Sequence, residues 1–288
     1  MLDLRSVERP GSAADAVRAL AEGSGRGLYV AGGTIVVPAA SPNLDYLVDL
    51  GAAGLAGVSG DGDGSIAVGA MTSVADLARS EVVASLAGGV LRDAALAVAN
   101  HTVRNVATVG GNVASWHFPT DLPPALLALD AIVVLVDGDG ERRLSLEDLY
   151  SRRAETYRKG DLITGIELPS SSSGLCGAFR KRGRTRLDVA TVNCAVALRR
   201  ADGGLADVRI ALNGVGAVPV RARELERTIE GEAVDPAAID RAAGEYCRTL
   251  SPQSDHRAGA EYRRKLARVL IRRALSAAAG LPEPGGAR

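Results

Sequence analysis

The chain has few aromatic residues, few cysteines, no long apolar run and no excess of charge of either sign. Only 3% of its 288 residues are Phe, Trp or Tyr, so a surface that stacks nucleic-acid bases is not expected. Lys plus Arg equals Asp plus Glu at 34 each, whereas a nucleic-acid-binding chain would carry a basic surplus. Cys176, Cys194 and Cys247 are far apart and form no C-x-x-C. That excludes a zinc site or an iron–sulfur cluster ligated by this chain alone and predicts no metal site. The three read as structural thiols of a cytoplasmic protein. No apolar run approaches the roughly 18 residues needed to cross a bilayer. Met1-Leu2-Asp3-Leu4-Arg5 lacks the basic start and apolar core of a signal peptide. The phosphate-loop pattern G-x-x-x-x-G-K-[ST] is absent, as is a G-x-G-x-x-G opening a long helix. Ordinary ATP loops and Rossmann dinucleotide sites go with them.

Against these absences stand 47% hydrophobic residues, enough for one large core or several smaller ones, and two glycine pairs. The first, Ala31-Gly32-Gly33-Thr34, ends the apolar run Gly27-Leu28-Tyr29-Val30. The second lies in Ala107-Thr108-Val109-Gly110-Gly111-Asn112. A glycine pair at a strand end lets φ turn positive and lets backbone N–H groups approach an anion. Two such turns in one domain suggest an elongated ligand with more than one phosphate.

The local patterns predict alternating helices and strands. Ser12 caps a helix over 13–22, a strand runs over 27–30, and another over 46–50. Alternation predicts a strand over 65–70, with Thr72 or Ser73 capping a helix over 74–78. A longer helix over 83–98 is interrupted at Gly88-Gly89. Pro123 and Pro124 sit in the first turn of a helix reaching Leu129. Strand 132–136 meets the hairpin turn Asp137-Gly138-Asp139-Gly140, and a further strand covers 162–168. Pro169 and the serine run Ser170–Ser173 mark a boundary near residue 172. Beyond it come strands 189–198 and 208–212 and helices 221–230, 236–249 and 259–278, with a disordered tail over 281–288. The expected division is a domain over 1–172, with subdomains of about 1–55 and 56–172, and an α+β domain over 173–280.

Five segments, in order along the chain, resemble one family. Val103-Arg104-Asn105-Val106-Ala107-Thr108-Val109-Gly110-Gly111-Asn112-Val113-Ala114 is similar to the V-R-N-x-x-T-[IV]-G-G-N-x-A segment of the FAD-binding medium subunits of molybdenum hydroxylases, such as carbon monoxide and xanthine dehydrogenases. Asp121-Leu122-Pro123-Pro124-Ala125-Leu126-Leu127-Ala128-Leu129-Asp130-Ala131 resembles its D-L-P-x-A-L-L-A-L-D-A helix. Ala31-Gly32-Gly33-Thr34 with Pro38 resembles its first flavin turn. Val68–Thr72 with Ala75-Asp76-Leu77, and Asn213–Gly216 with Pro219–Ala222, match two further segments. The resemblance implies an α+β fold: a two-subdomain FAD-binding unit of the PCMH/vanillyl-alcohol-oxidase type, then a C-terminal antiparallel sheet with helices.

It also implies FAD held non-covalently between the two subdomains. Thr34 cannot form the histidyl link of some related flavoproteins. The cofactor-binding residues it implies are Ala31, Gly32, Gly33, Thr34, Ile35, Thr108, Val109, Gly110, Gly111, Asn112, Asp121, Ile163 and Lys181. Backbone donors of both glycine segments would hold the pyrophosphate. Asp121 reads either as a helix N-cap or as a cofactor ligand. Lys181 lies in the cationic run Arg180–Arg186, otherwise a solvated or docking strip that Asp188 could pair with. The chain departs from the family at Ile35, where a polar residue is usual, and at Ser115-Trp116-His117-Phe118-Pro119-Thr120, which is bulky and aromatic. There Trp116 and His117 are candidate catalytic residues, as a wall over the flavin and a proton donor. The implied activity is that of a FAD-dependent oxidoreductase subunit. It would pass electrons between FAD and separate iron–sulfur and molybdopterin subunits, or to an external acceptor. The alternative is a stand-alone FAD-dependent oxidase or dehydrogenase acting directly on a small molecule. Neither a nucleic-acid nor a membrane partner is expected.

Overall fold

Twelve strands form three sheets in the computed structural model, which describes residues 4–39, 44–115, 119–201, 204–232 and 235–282. The first sheet is small and parallel, in the order β1 (Ser6–Glu8), β3 (Tyr46–Asp49), β2 (Gly27–Val30). The helix Ala13–Glu22 packs on it and begins as predicted, with the Ser12 side chain accepting the Asp15 N–H at 3.1 Å. The second sheet is antiparallel, in the order β4 (Val58–Gly60), β5 (Ile66–Gly69), β8 (Leu162–Leu168), β6 (Ile132–Asp137), β7 (Gly140–Ser145). The β6–β7 turn is closed by Asp137, whose Oδ1 accepts from the N–H groups of Asp139 at 2.8 Å and Gly140 at 3.1 Å. The third sheet is antiparallel in the order β12 (Val220–Arg221), β11 (Gly204–Asn213), β10 (Val192–Ala201), β9 (Cys176–Arg182).

The third sheet is covered on both faces, which is why β10 is buried from Val192 to Leu198. The long helix Ala260–Ala279 packs against β9 and β10, and the helix Leu122–Ala128 packs against β10 and β11. A single apolar cluster therefore runs from Leu126 and Val133 to Phe179, Ala195 and Ala211, on both sides of residue 172. Polar bonds reinforce the junction. Arg221 donates to the Leu127 carbonyl at 2.8 Å and is paired with Asp130, while Ser172 Oγ donates to the Leu129 carbonyl at 2.7 Å.

Some elements differ from expectation. The predicted helix over 83–98 is two helices, Glu81–Ser85 and Val90–Ala97, separated by the turn Leu86–Gly89 in which Ala87, Gly88 and Gly89 all have positive φ. The sequence patterns do not predict the strands β1, β4, β9 and β12, and imply β7 only through the hairpin turn at 137–140; β9 contains the start of the cationic run. The second glycine pair is not a turn but part of a short helix, Val109–Ala114. Of the expected tail, residues 283–288 lie outside the described residues.

Candidate functional site

Where β2 ends, the chain reverses at Gly33, whose φ of +65° is readily adopted only by glycine. The helix Val36–Ala39 then starts, with the Val37 N–H on the Gly33 carbonyl at 3.0 Å. Among the described residues, the N–H groups of Gly32, Gly33, Thr34 and Ile35 have no backbone acceptor. Successive free donors on a turn containing a positive φ make an anion-binding concavity. Ile35 loses a side-chain donor relative to the family pattern, but its backbone N–H remains.

The second glycine segment meets the first directly. A Cβ on Gly32 would overlap the Val106 carbonyl oxygen. Thr108 then caps the Val109–Ala114 helix, its Oγ1 accepting the Gly111 N–H at 3.1 Å. The Val109 N–H donates to the Thr72 carbonyl at 3.0 Å and the Gly110 N–H to the Ala70 carbonyl at 2.8 Å. The donors of Val109, Gly110 and Gly111 are thus already used, contrary to the expectation that they hold a pyrophosphate. Neither Gly110 nor Gly111 has positive φ. What Gly110 requires is space, since a Cβ there would lie 2.8 Å from Ala70 Cβ and 3.0 Å from the Ala70 carbonyl oxygen. Val109 is a core residue at 1% exposure.

Between the first two sheets lies a cleft of about 550 Å³, within the range of small-molecule sites. Of the predicted residues, Ala31, Gly32, Gly33, Thr34, Ile35, Thr108, Gly110, Gly111, Asn112 and Ile163 line it; Val109, Asp121 and Lys181 do not. Asn112 is buried and its Oδ1 has no partner among the described residues, an acceptor that a bound ligand could satisfy. Its carbonyl accepts from Thr120 Oγ1 at 3.0 Å. At the other end, the Tyr29 hydroxyl donates to the Gly160 carbonyl at 2.8 Å, joining the first sheet to the loop before β8. The Tyr157 hydroxyl donates to the Asp161 carbonyl at 2.9 Å. Burial drives the Tyr29 phenol far above its ordinary range and pushes Tyr157 up to about 12. Both rings therefore stay neutral donors in ordinary buffers.

Asp121 and Lys181 are brought together outside the cleft wall. Lys181 Nζ lies 2.6 Å from Asp121 Oδ2 and donates to the Ala97 carbonyl at 2.8 Å. Asn193 Nδ2 donates to Asp121 Oδ1 at 2.8 Å and to the Thr120 carbonyl at 3.1 Å, and Asn213 Nδ2 donates to the same carbonyl at 3.2 Å. The N-cap reading of Asp121 is corrected: its side chain caps no helix N–H. Burial raises the Asp121 carboxyl to about 6, with Lys181 and Asn193 pulling it down. The rest of the cationic run is partly neutralised, with Arg184 on Asp188 at 2.7 Å. Trp116, His117 and Phe118 lie outside the described residues.

Sequence reading missed Tyr29, Ala70, Met71, Tyr157 and Asp161, all in the cleft lining. Ala70 and Met71 belong to the segment Val68–Thr72, which matches the family pattern. Gly160-Asp161, a turn pair directly before a strand, was the available signal for the far end.

Comparison with known proteins covers nearly the whole chain. Residues 3–171 match the model of the FAD binding domain in molybdopterin dehydrogenase, and residues 177–278 that of the CO dehydrogenase flavoprotein C-terminal domain. The carbon monoxide dehydrogenase medium chain of Afipia carboxidovorans is 33% identical over 275 residues, covering 94% of this chain and 95% of that one. The glyceraldehyde dehydrogenase medium chain of Sulfolobus acidocaldarius is 27% identical, covering 88% and 91%. Among solved structures, carbon monoxide dehydrogenase from Hydrogenophaga pseudoflava superposes with a TM-score of 0.89 at 29% identity, covering 97% of this chain and 99% of that one. The chain therefore belongs to the family of FAD-binding subunits of the molybdopterin dehydrogenases, and its fold is the α+β fold of their medium chains.

Proposed function

We propose that this chain binds FAD non-covalently in the cleft between the first two sheets and works as the flavoprotein subunit of an oxidoreductase. The observation that carries the reading is the row of unspent N–H groups from Gly32 to Ile35 around the left-handed Gly33. They would receive the pyrophosphate. The partnerless Asn112 Oδ1 fits a hydroxyl or N–H of the same ligand, and Ile163 supplies apolar wall. Bound FAD supplies two-electron uptake with one-electron release. The protein's own groups hold the dinucleotide, shape its wall and connect that wall to the C-terminal sheet. Thr108, Gly110 and Gly111 form a rigid side of the cleft. Asp121 and Lys181 support that side through Thr120, with contact to the cofactor itself limited to rearrangement of their pair.

Medium chains that resemble this one come from dehydrogenases of unrelated substrates, carbon monoxide and glyceraldehyde. The shared part is the flavin module, so substrate chemistry belongs to partner chains. The partners are an iron–sulfur subunit and a molybdopterin subunit in a heteromer. Among the described residues no cluster of His, Cys, Asp and Glu could hold a metal. We divide the chain functionally near residue 172, with FAD on the N-terminal side and the C-terminal sheet buttressing it. No described helix is long and apolar enough to cross a membrane. The free thiols Cys176, Cys194 and Cys247 suit a reducing cytoplasm. The test is direct: purified protein is yellow and releases FAD on heat or acid denaturation. Colourless protein that also fails to bind added FAD would overturn the proposal, and flavin retained on the denatured chain would overturn its non-covalent part.

A further inference from the structure

The helix Val109–Ala114 has six residues, two of them glycine, and lines the cleft through Gly110, Gly111, Asn112 and Ala114. Such a helix has little stability of its own, so its place depends on what grips its ends. Side-chain hydroxyls take its last carbonyls. Ser115 Oγ donates to Gly111 at 2.5 Å, Thr120 Oγ1 to Asn112 at 3.0 Å and the Tyr150 hydroxyl to Val113 at 3.0 Å. Ser115 and Tyr150 lie, like the helix, before residue 172. Thr120 differs, because its own carbonyl is held from the C-terminal sheet. Asn193 Nδ2 on β10 and Asn213 Nδ2 on β11 donate to it at 3.1 and 3.2 Å. The two asparagines are paired in register across the strands and are 0% and 4% exposed. Two amides thus occupy both lone pairs of one carbonyl.

Two buried amides in an apolar stretch of sheet are costly unless their N–H groups hold something. Joining the halves of the chain is already done on other atoms, by the apolar cluster across residue 172 and by the Arg221 and Ser172 bonds. Asn193 leaves its Oδ1 without a donor among the described residues, while its Nδ2 is spent on Thr120 and on Asp121 Oδ1. The arrangement favours what the amide N–H groups hold over satisfaction of the amides themselves. Resting on the FAD reading, we propose that Asn193 and Asn213 are positioning residues of the flavin site. They fix Thr120, whose hydroxyl sets the C-terminal end of the Val109–Ala114 helix and with it the wall that Asn112 offers to the cofactor. Neither asparagine lines the cleft, so both act through Thr120.

The test uses the full chain stripped of flavin. It reads FAD affinity, Tm and the visible circular dichroism of the flavin at saturation. Asn213→Leu removes the amide that serves Thr120 and does not touch Asp121, so FAD affinity should fall about tenfold and the saturated spectrum should change. Asn213→Ser, a smaller change that falls short of the Thr120 carbonyl, makes the same comparison if Asn213→Leu does not fold. Thr120→Val keeps the carbonyl and the volume and cuts the same route at the hydroxyl, so it should alter the spectrum in the same way. Combined with an Asn213 variant it should cost no more affinity than the worse of the two alone, because both interrupt one route. Ile271→Ala, a deletion in the separate core of the C-terminal helices, should lower Tm but leave the spectrum unchanged and the affinity within about twofold. Wild-type affinity and spectrum in the Asn213 variants would overturn the inference. Equal changes in Ile271→Ala, or fully additive losses in the double variant, would overturn it too. Failure of wild type to bind FAD would instead remove the FAD reading on which the inference rests.

Discussion

Gly32-Gly33 and Gly110-Gly111 present the same dipeptide to the same cleft under different physical constraints. At the first, Gly33 takes a φ of +65° and the following N–H groups find no backbone acceptor among the described residues. At the second, both glycines are helical, and the N–H groups of Val109, Gly110 and Gly111 are spent on Thr72, Ala70 and Thr108. The first pair frees donors for a ligand, and the second removes side chains so that a helix can seat on Ala70. Gly32 belongs to both descriptions, because it lies against the Val106 carbonyl at the seam between them. A glycine pair is thus compatible with ligand binding or with close packing, and only the partners of its N–H groups tell which.

Substitutions should separate the two roles. The largest effect is expected at the seam: Gly32→Val places its Cβ on a backbone carbonyl that cannot swing away, so both FAD binding and the melting transition should collapse. A Gly32→Val protein with wild-type Tm and flavin content would contradict the seam. Next is the ion pair that supports the second segment through Thr120. Lys181→Met removes the cation that holds the buried Asp121 carboxyl down to about 6, so Asp121 takes up a proton and the loss is limited to about 1–3 kcal/mol, the range for a buried group that loses its partner. Denaturant unfolding at neutral pH measures it. The deficit should shrink toward pH 5 as wild-type Asp121 takes up a proton; a pH-independent deficit would show that the pair is not charged.

Gly110→Ala should cost about 1–3 kcal/mol, the usual range for overpacking, with Tm falling and FAD affinity following it. Gly33→Ala should do the reverse in proportion. Its strain is about 1–2 kcal/mol for a left-handed non-glycine residue, but FAD affinity should fall further than stability because the donors are reoriented. Equal loss of Tm and affinity in both variants would erase the distinction. The smallest effect is the titration of Asp121 itself. Burial holds its folded carboxyl at about 6, above the ordinary 3.8, so this group takes stability away as pH rises from about 4 to about 6. A carboxyl titration followed by NMR should show a midpoint near 6, and a midpoint at or below 3.8 would contradict the burial.

Local chemistry was readable from sequence wherever donor and acceptor are near neighbours in the chain. Ser12 caps its helix as expected, and of the two candidates Thr72 and Ser73 it is Ser73 that caps the next, each accepting an N–H three residues on. The Asp137 hairpin closes within three residues. Capping logic alone could not decide between the two readings of Asp121, because its partners Lys181 and Asn193 are 60 and 72 residues away. The glycine pairs were recognised as the site's frame, but their donors could not be assigned. The Gly110 N–H is taken by Ala70, whose approach depends on the sheet. Tyr29 and Asp161 escaped notice for a similar reason, since they meet only when the loop before β8 crosses to the first sheet.

Amide hydrogen exchange, on the chain stripped of flavin and again after FAD is added, tests the contrast between the two segments most directly. The account predicts that Gly32, Gly33, Thr34 and Ile35 exchange fast without flavin and become protected with it. Val109, Gly110 and Gly111 should be slow in both states. Protection that appears on FAD addition at Val109–Gly111 while Gly32–Ile35 stays fast would contradict it.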